Sequence, residues 1–238
     1  KWAQGLMPMM IVPLLSTLII GLLMFFVIGL PIVWATEALT EFLEGLQGSG
    51  KFLFGSIVGG MAAFDFGGPV NKVASLFADG LLLEGVQGPE AVKVLASMVP
   101  PFGVTISWVL SKIVRKRKYS KEEEDNIKIA FPMGLCMITE GVIPIAAVDP
   151  LRVIFSCTVG AAIGGGLSMS WGVGSPVPSG GVFIIPAMTD PLKFTLALLI
   201  GSAITGILLF VLKKEPVENE IKDDEEEEEV DFSSIKIS

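Results

Sequence analysis

Three short runs place polar and ionisable side chains inside otherwise apolar sequence, where such groups are costly enough to mark a candidate site. The first is Phe64-Asp65-Phe66-Gly67-Gly68-Pro69-Val70-Asn71-Lys72, which brings a carboxylate, an amide and an ammonium together. Asp65 and Asn71 can hydrogen-bond the hydroxyls of a polar ligand while the glycines let backbone approach it. A structural reading competes, in which Asp65 and Lys72 pair with each other or cap broken helices. The second run is Ile138-Thr139-Glu140-Gly141, with Pro144, Asp149, Pro150 and Arg152 behind it. Glu140 lies 11 uncharged residues into its segment and precedes a glycine, so a helix end or tight turn presents its carboxylate in a largely apolar setting. With Thr139 beside it, Glu140 can hold a ligand hydroxyl or, as the candidate catalytic group, accept its proton; a helix-capping glutamate is the alternative. Asp149 and Arg152, three apart, read as a structural ion pair. The third run is Ser175-Pro176-Val177-Pro178-Ser179-Gly180-Gly181, whose prolines and glycines forbid a continuous helix. Ser179, with Gly180, either contacts ligand or forms a turn.

The 238 residues contain no histidine, which removes the commonest general base and metal ligand. Cys136 and Cys157 lie in separate apolar stretches and read as small buried hydrophobes, with neither a disulfide nor a metal site. No phosphate-binding loop, metal site or cofactor motif is visible.

The elements that must position these residues are membrane helices. Of the residues 51% are hydrophobic and 18% charged, with a mean hydropathy of +0.69, above what a soluble core needs. No charge interrupts Leu6 to Trp34, Val94 to Ser111, the 37 residues from Val153 to Thr189, or Phe194 to Leu212, and about 20 apolar residues suffice to cross a bilayer. A first span is expected within Met9 to Trp34. Glu37, Glu41 and Glu44 opposite Leu39, Phe42, Leu43 and Leu46 predict a surface-lying amphipathic helix. The segment from Phe52 is apolar but must break around Asp65 to Lys72, and a loop is expected over Leu81 to Pro89. Lys112, Arg115, Lys116, Arg117 and Lys118 mark a cytoplasmic loop, and Lys213 and Lys214 repeat that mark. An even number of crossings must separate the two. Val153 to Trp171 and Phe194 to Leu212 meet that need, leaving Ile129 to Pro150 and Ser175 to Pro191 as re-entrant or broken-helix elements enclosed by protein. Gly164-Gly165-Gly166 reads as a close helix-packing surface, and Trp2, Trp34, Trp108 and Trp171 as interfacial belt residues. The fold class is therefore an all-α membrane protein, a polytopic helical bundle with about five to six transmembrane spans and two re-entrant elements. Residues 1–212 form the membrane-embedded domain. From Glu215 onward 11 acidic residues and two lysines give the tail −9 of the net −8, so residues 213–238 form an acidic, disordered cytoplasmic extension.

At the three runs the chain resembles the C subunit of the fructose family of enzyme II permeases in the bacterial phosphoenolpyruvate-dependent sugar phosphotransferase system. FDFGGPVNK, ITEGVIPIAAVDPLRV and PSGGVF resemble, in the same order, that family's FDMGGPVNK, ITEGAIPFAAADPLRV and PHGGIF. The resemblance runs from about Gly5 to Leu212 and implies that the family's opening helices lie outside this sequence. It further implies a permease in the bacterial cytoplasmic membrane, surrounded by lipid and working as a homodimer. A fructose-like sugar would be bound and presented to a phosphorylated B domain, itself charged by an A domain, with no nucleic acid involved. The TEG glutamate is taken to hold the sugar, which falls on Glu140, with Asp65 and Asn71 as further contacts; Thr139, Ser179 and Gly180 complete the expected substrate-binding set. One departure stands out: the family's histidine before Gly-Gly is Ser179 here. The basic loop Lys112 to Lys121 either docks the B domain or sets orientation alone. A sugar carrier without phosphoryl transfer, ion-coupled at Asp65 or Glu140 or passive, is the second reading, and a membrane sensor or anchor the third.

Overall fold

The structure, a computed structural model, describes residues 12–23, 26–27 and 49–215. The amphipathic stretch expected at residues 37–46 and most of the acidic tail lie outside the described residues, as does much of the first expected span. The chain divides into two compact units, 1–46 and 47–238. In the first, α1 (Val12–Leu23) is a short apolar helix whose Ser16 and Thr17 hydroxyls donate back to the Pro13 carbonyl.

Among its described residues the second unit is helical throughout its regular structure: α2 (Ser49–Phe64), α3 (Pro69–Leu83), α4 (Gly88–Ile113), α5 (Lys121–Leu135), α6 (Ile143–Val148), α7 (Pro150–Ser170) and α8 (Pro191–Leu212), with 3-10 turns at Glu140–Val142 and Gly181–Ala187. The chain is an all-α membrane protein. Among the described residues α4, α7 and α8 are long and apolar enough to cross a bilayer, whereas α1 and α2 are shorter apolar helices. The most apolar of the three long helices, α8, has only 39% of its apolar stretch buried, against 67% for α4. That order is the reverse of what water would select and fits a helix of a membrane protein.

At the centre lies α7, where the expected glycine surface packs on two sides. A Cβ at Gly55 of α2 would stand 2.5 Å from the Gly165 carbonyl oxygen, and one at Gly59 2.5 Å from that of Ala161. On the other face a Cβ at Gly201 of α8 would stand 2.8 Å from the Gly160 carbonyl oxygen. Without a hydrophobic drive between helices in lipid, association rests on such close backbone approach. Leu95, Met98, Val99, Ala161, Phe194 and Ala197 fill one core here, and Tyr119, Ile127, Ile145, Val153, Cys157 and Leu209 a second.

The breaks fall near where they were expected, with differences. The loop at Leu81 to Pro89 is shorter than predicted, because α3 runs to Leu83 and α4 already begins at Gly88; Pro89 suits the first turn of a helix, which needs no backbone donor there. Likewise the start of the Ile129 to Pro150 element is continuous helix through Leu135. α5 is launched by a capping box in which the Ser120 hydroxyl accepts from the Glu123 backbone N–H and the Glu123 carboxylate accepts from that of Ser120. Cys136, expected to be buried, is exposed because it caps that helix, while Cys157 is buried; neither is in a disulfide. The basic loop and Lys213 do share one end of the bundle, since the Lys118 ammonium donates to the Lys213 carbonyl.

Candidate functional site

The α2–α3 break exposes backbone donors at the start of α3 that need acceptors. Asp65 supplies them: one carboxylate oxygen accepts from the Val70 N–H at 2.7 Å and the other from the Asn71 N–H at 2.9 Å. Asn71, 5% exposed, donates through its amide to the Ala62 carbonyl at the end of α2 and accepts from the Ser75 hydroxyl at 3.3 Å. Between them Phe66 takes a left-handed conformation, φ 47°, and Gly67 a φ of 99°. Left-handed backbone at a bulky residue costs of order 1–3 kcal/mol and is held only where the surroundings over-determine it. Gly67 is also where the first two runs meet, since a Cβ there would stand 2.5 Å from Oε1 of Glu140.

The second run is shaped by a matching device. After α5 ends, Met137 turns through a left-handed conformation, φ 67°, and Thr139, buried, begins the 3-10 turn that opens with Glu140. Glu140 itself is exposed rather than set in apolar surroundings, because it opens the turn that follows the end of α5. Asp149 and Arg152 form the expected ion pair, at 2.9 Å. The third run is a loop closed at its base, where the Gly174 N–H donates to the Thr189 hydroxyl at 2.8 Å and the Thr189 N–H to the Gly174 carbonyl at 3.0 Å. Gly180 and Gly181 carry it through φ values of 136° and 59°. A side chain at Gly181 would collide with the Leu135 carbonyl, so this loop seats directly on the end of α5.

These devices surround one polar cavity of about 300 Å³, at the small end of the range for ligand sites. Asn71, Thr139, Glu140 and Ser179 from all three runs line it. Asp65 and Gly180 do not: the Asp65 carboxylate is turned onto the α3 backbone, and Gly180 serves the bend behind Ser179. Glu140 is thus the foremost expected carboxylate that faces the cavity.

Sequence reasoning missed a second group of charges on the wall. Lys93 of α4, 4% exposed, donates to Asp79 of α3 at 2.5 Å, and its Nζ lies 2.7 Å from Oε1 of Glu90. The Glu90 contact is close enough for an ion pair but lacks hydrogen-bond alignment, and both Glu90 oxygens are otherwise without a partner. Lys93 and Asp79 line the cavity; Glu90, fully buried, stands behind. Glu90 and Lys93 were readable as an (i, i+3) pair at the head of an apolar span, but nothing local tied them to Asp79.

A bundle of membrane helices around a cavity of carboxylates, hydroxyls and amide is a polytopic membrane protein with a polar site among its helices. Comparison with known proteins narrows this. The chain is 43% identical over 214 residues to the "PTS system fructose-specific EIIC component" of Haloferax volcanii, covering 90% of this chain and 56% of that protein. It is 40% identical over 218 residues to the "PTS system fructose-specific EIIB'BC component" of Escherichia coli (strain K12), covering 90% of this chain and 38% of the relative. To the "Fructose permease IIC component" of Bacillus amyloliquefaciens it is 39% identical over 215 residues, 90% of this chain and 69% of that one. No family model and no solved structure matches. The chain belongs to the fructose-specific IIC family of phosphotransferase-system components, and it spans roughly half or less of the length of the first two relatives.

Proposed function

We propose that this chain is the sugar-translocating part of a permease that binds fructose or a related sugar in the cavity and presents it for phosphorylation during uptake. The observation that carries the reading is that three runs far apart in sequence deliver Asn71, Thr139, Glu140 and Ser179 to one cavity. In this reading Glu140 holds a sugar hydroxyl and accepts its proton as the phosphoryl group passes from the carrier side chain of a phosphorylated B domain to that oxygen. Asn71, Thr139 and Ser179 orient the ring, while Asp65 and Gly180 act by holding the backbone of the site. Partnership with B and A domains is supported by relatives whose names join them to the C component, "EIIB'BC" and, in Bacillus subtilis (strain 168), "EIIABC". The protein would lie as a homodimer in the lipid of the bacterial inner membrane, with its tail and basic loop cytoplasmic.

The complete protein in vesicles, given labelled fructose and its phosphoryl-donor partners, should accumulate sugar phosphate only when the donor is present. Free sugar accumulating without the donor would reject phosphoryl transfer and establish the carrier reading, for which the open carboxylate of Glu140 offers a coupling site.

A further inference from the structure

The Asp79–Lys93–Glu90 cluster is not explained by stability. A buried ion pair can often be replaced by apolar residues of similar size without loss, so desolvating Lys93 and Glu90 has no evident return in folding. What the cluster does is present two unlike groups side by side on the cavity wall. Asp79 has a 40% exposed side chain with acceptor sites left over after Lys93, and the Lys93 ammonium uses one of its three donors on Asp79. Each hydroxyl of a polyol both donates and accepts, so neighbouring hydroxyls match an adjacent acceptor and donor. The 2.5 Å contact between Asp79 Oδ1 and Lys93 Nζ holds that acceptor and donor next to each other on the wall. Lys93 also supplies this cavity with a buried cationic donor, in a chain that has no histidine to offer one.

We propose that Asp79 and Lys93 form a paired acceptor and donor that reads two neighbouring hydroxyls of the sugar, with Glu90 as a positioning residue that holds Lys93 from behind. This rests on the cavity being the sugar site. A wall built to hydrogen-bond a hydroxyl discriminates against the analogue lacking it, because its own polar groups are left unpaired. The cluster is therefore a specificity element, distinct from the Glu140 side where the proton is handled.

The test is calorimetric binding of fructose and of each monodeoxyfructose to the complete protein in lipid vesicles, unaltered and as Asp79→Asn, Asp79→Glu and Glu140→Gln. The unaltered protein should penalise most heavily two analogues that lack neighbouring hydroxyls. Asp79→Asn should weaken fructose about tenfold and flatten the penalty for those two while the other analogues keep theirs. Asp79→Glu, which retains the acceptor, should restore part of the ranking, and it decides the matter alone if the asparagine variant does not fold. Unchanged fructose affinity and ranking in both Asp79 variants, with Glu140→Gln still weakening binding, overturns the proposal and reduces the cluster to a tie between α3 and α4. Absence of fructose binding to the unaltered protein, or no loss in Glu140→Gln as well, overturns the sugar-cavity reading itself.

Discussion

Asp65 and Glu140 are both carboxylates in polar runs of apolar sequence, yet the structure gives them different work. Asp65 spends both oxygens on backbone N–H groups of α3, whereas Glu140 faces the cavity and is approached by backbone at Gly67. Their variants should separate accordingly. Glu140→Gln should weaken fructose binding by ~1–3 kcal/mol, the cost of losing a hydrogen bond to a charged group, with little change in melting temperature. Asp65→Ala should instead lower the melting temperature, at a cost of ~0.5–2 kcal/mol typical of a lost helix cap. Binding isotherms beside thermal unfolding in detergent would distinguish the two, and an Asp65 variant that lost affinity at unchanged stability would return that residue to the ligand.

Among the elements, α7 is defined by what it lacks. Its small residues face α2 on one side and α8 on the other, and a carbonyl stands where a Cβ at Gly55, Gly59 or Gly201 would go. Gly55→Val should therefore separate α2 from α7 and lower stability by ~1–3 kcal/mol through overpacking, read as a drop in melting temperature, while Gly80→Ala, where a Cβ meets nothing within 4 Å, should not. This surface was legible in advance because Gly-Gly-Gly inside an apolar span has few other uses. The breaks at Asp65 to Pro69 and Ser175 to Gly181 were legible for a similar reason, as glycine and proline act locally. The link from Asp79 to Glu90 and Lys93 was not legible: the latter two read as an (i, i+3) pair at the head of a span, but their connection to Asp79 runs between helices. Nor could spacing tell that Asp65 would turn onto its own helix, since a carboxylate five or six residues before a backbone donor reaches it only for one shape of the intervening turn.

At the scale of the whole molecule, the bundle is fastened by a pair that sequence distance conceals. Glu123 and Lys213, 90 residues apart, meet at 2.7 Å with side chains 5% and 4% exposed. Tyr119 lies beneath, its ring 5.0 Å from the Lys213 ammonium and its hydroxyl donating to Ser107 at 2.7 Å. Lys213→Met should strand the Glu123 carboxylate and destabilise the protein by ~3–5 kcal/mol, whereas Lys213→Met with Glu123→Gln should recover much of that loss. Thermal unfolding of the two variants in lipid nanodiscs measures the difference; equal melting temperatures would mean that the pair is solvated and holds nothing.

That fastening also joins two distant places through one helix. Glu123 lies in the first turn of α5, and α5 runs 15 residues, about 22 Å, to end just before the turn that carries Met137, Thr139 and Glu140. The ion pair that fastens Lys213 is therefore one helix length away from the turn that carries Glu140.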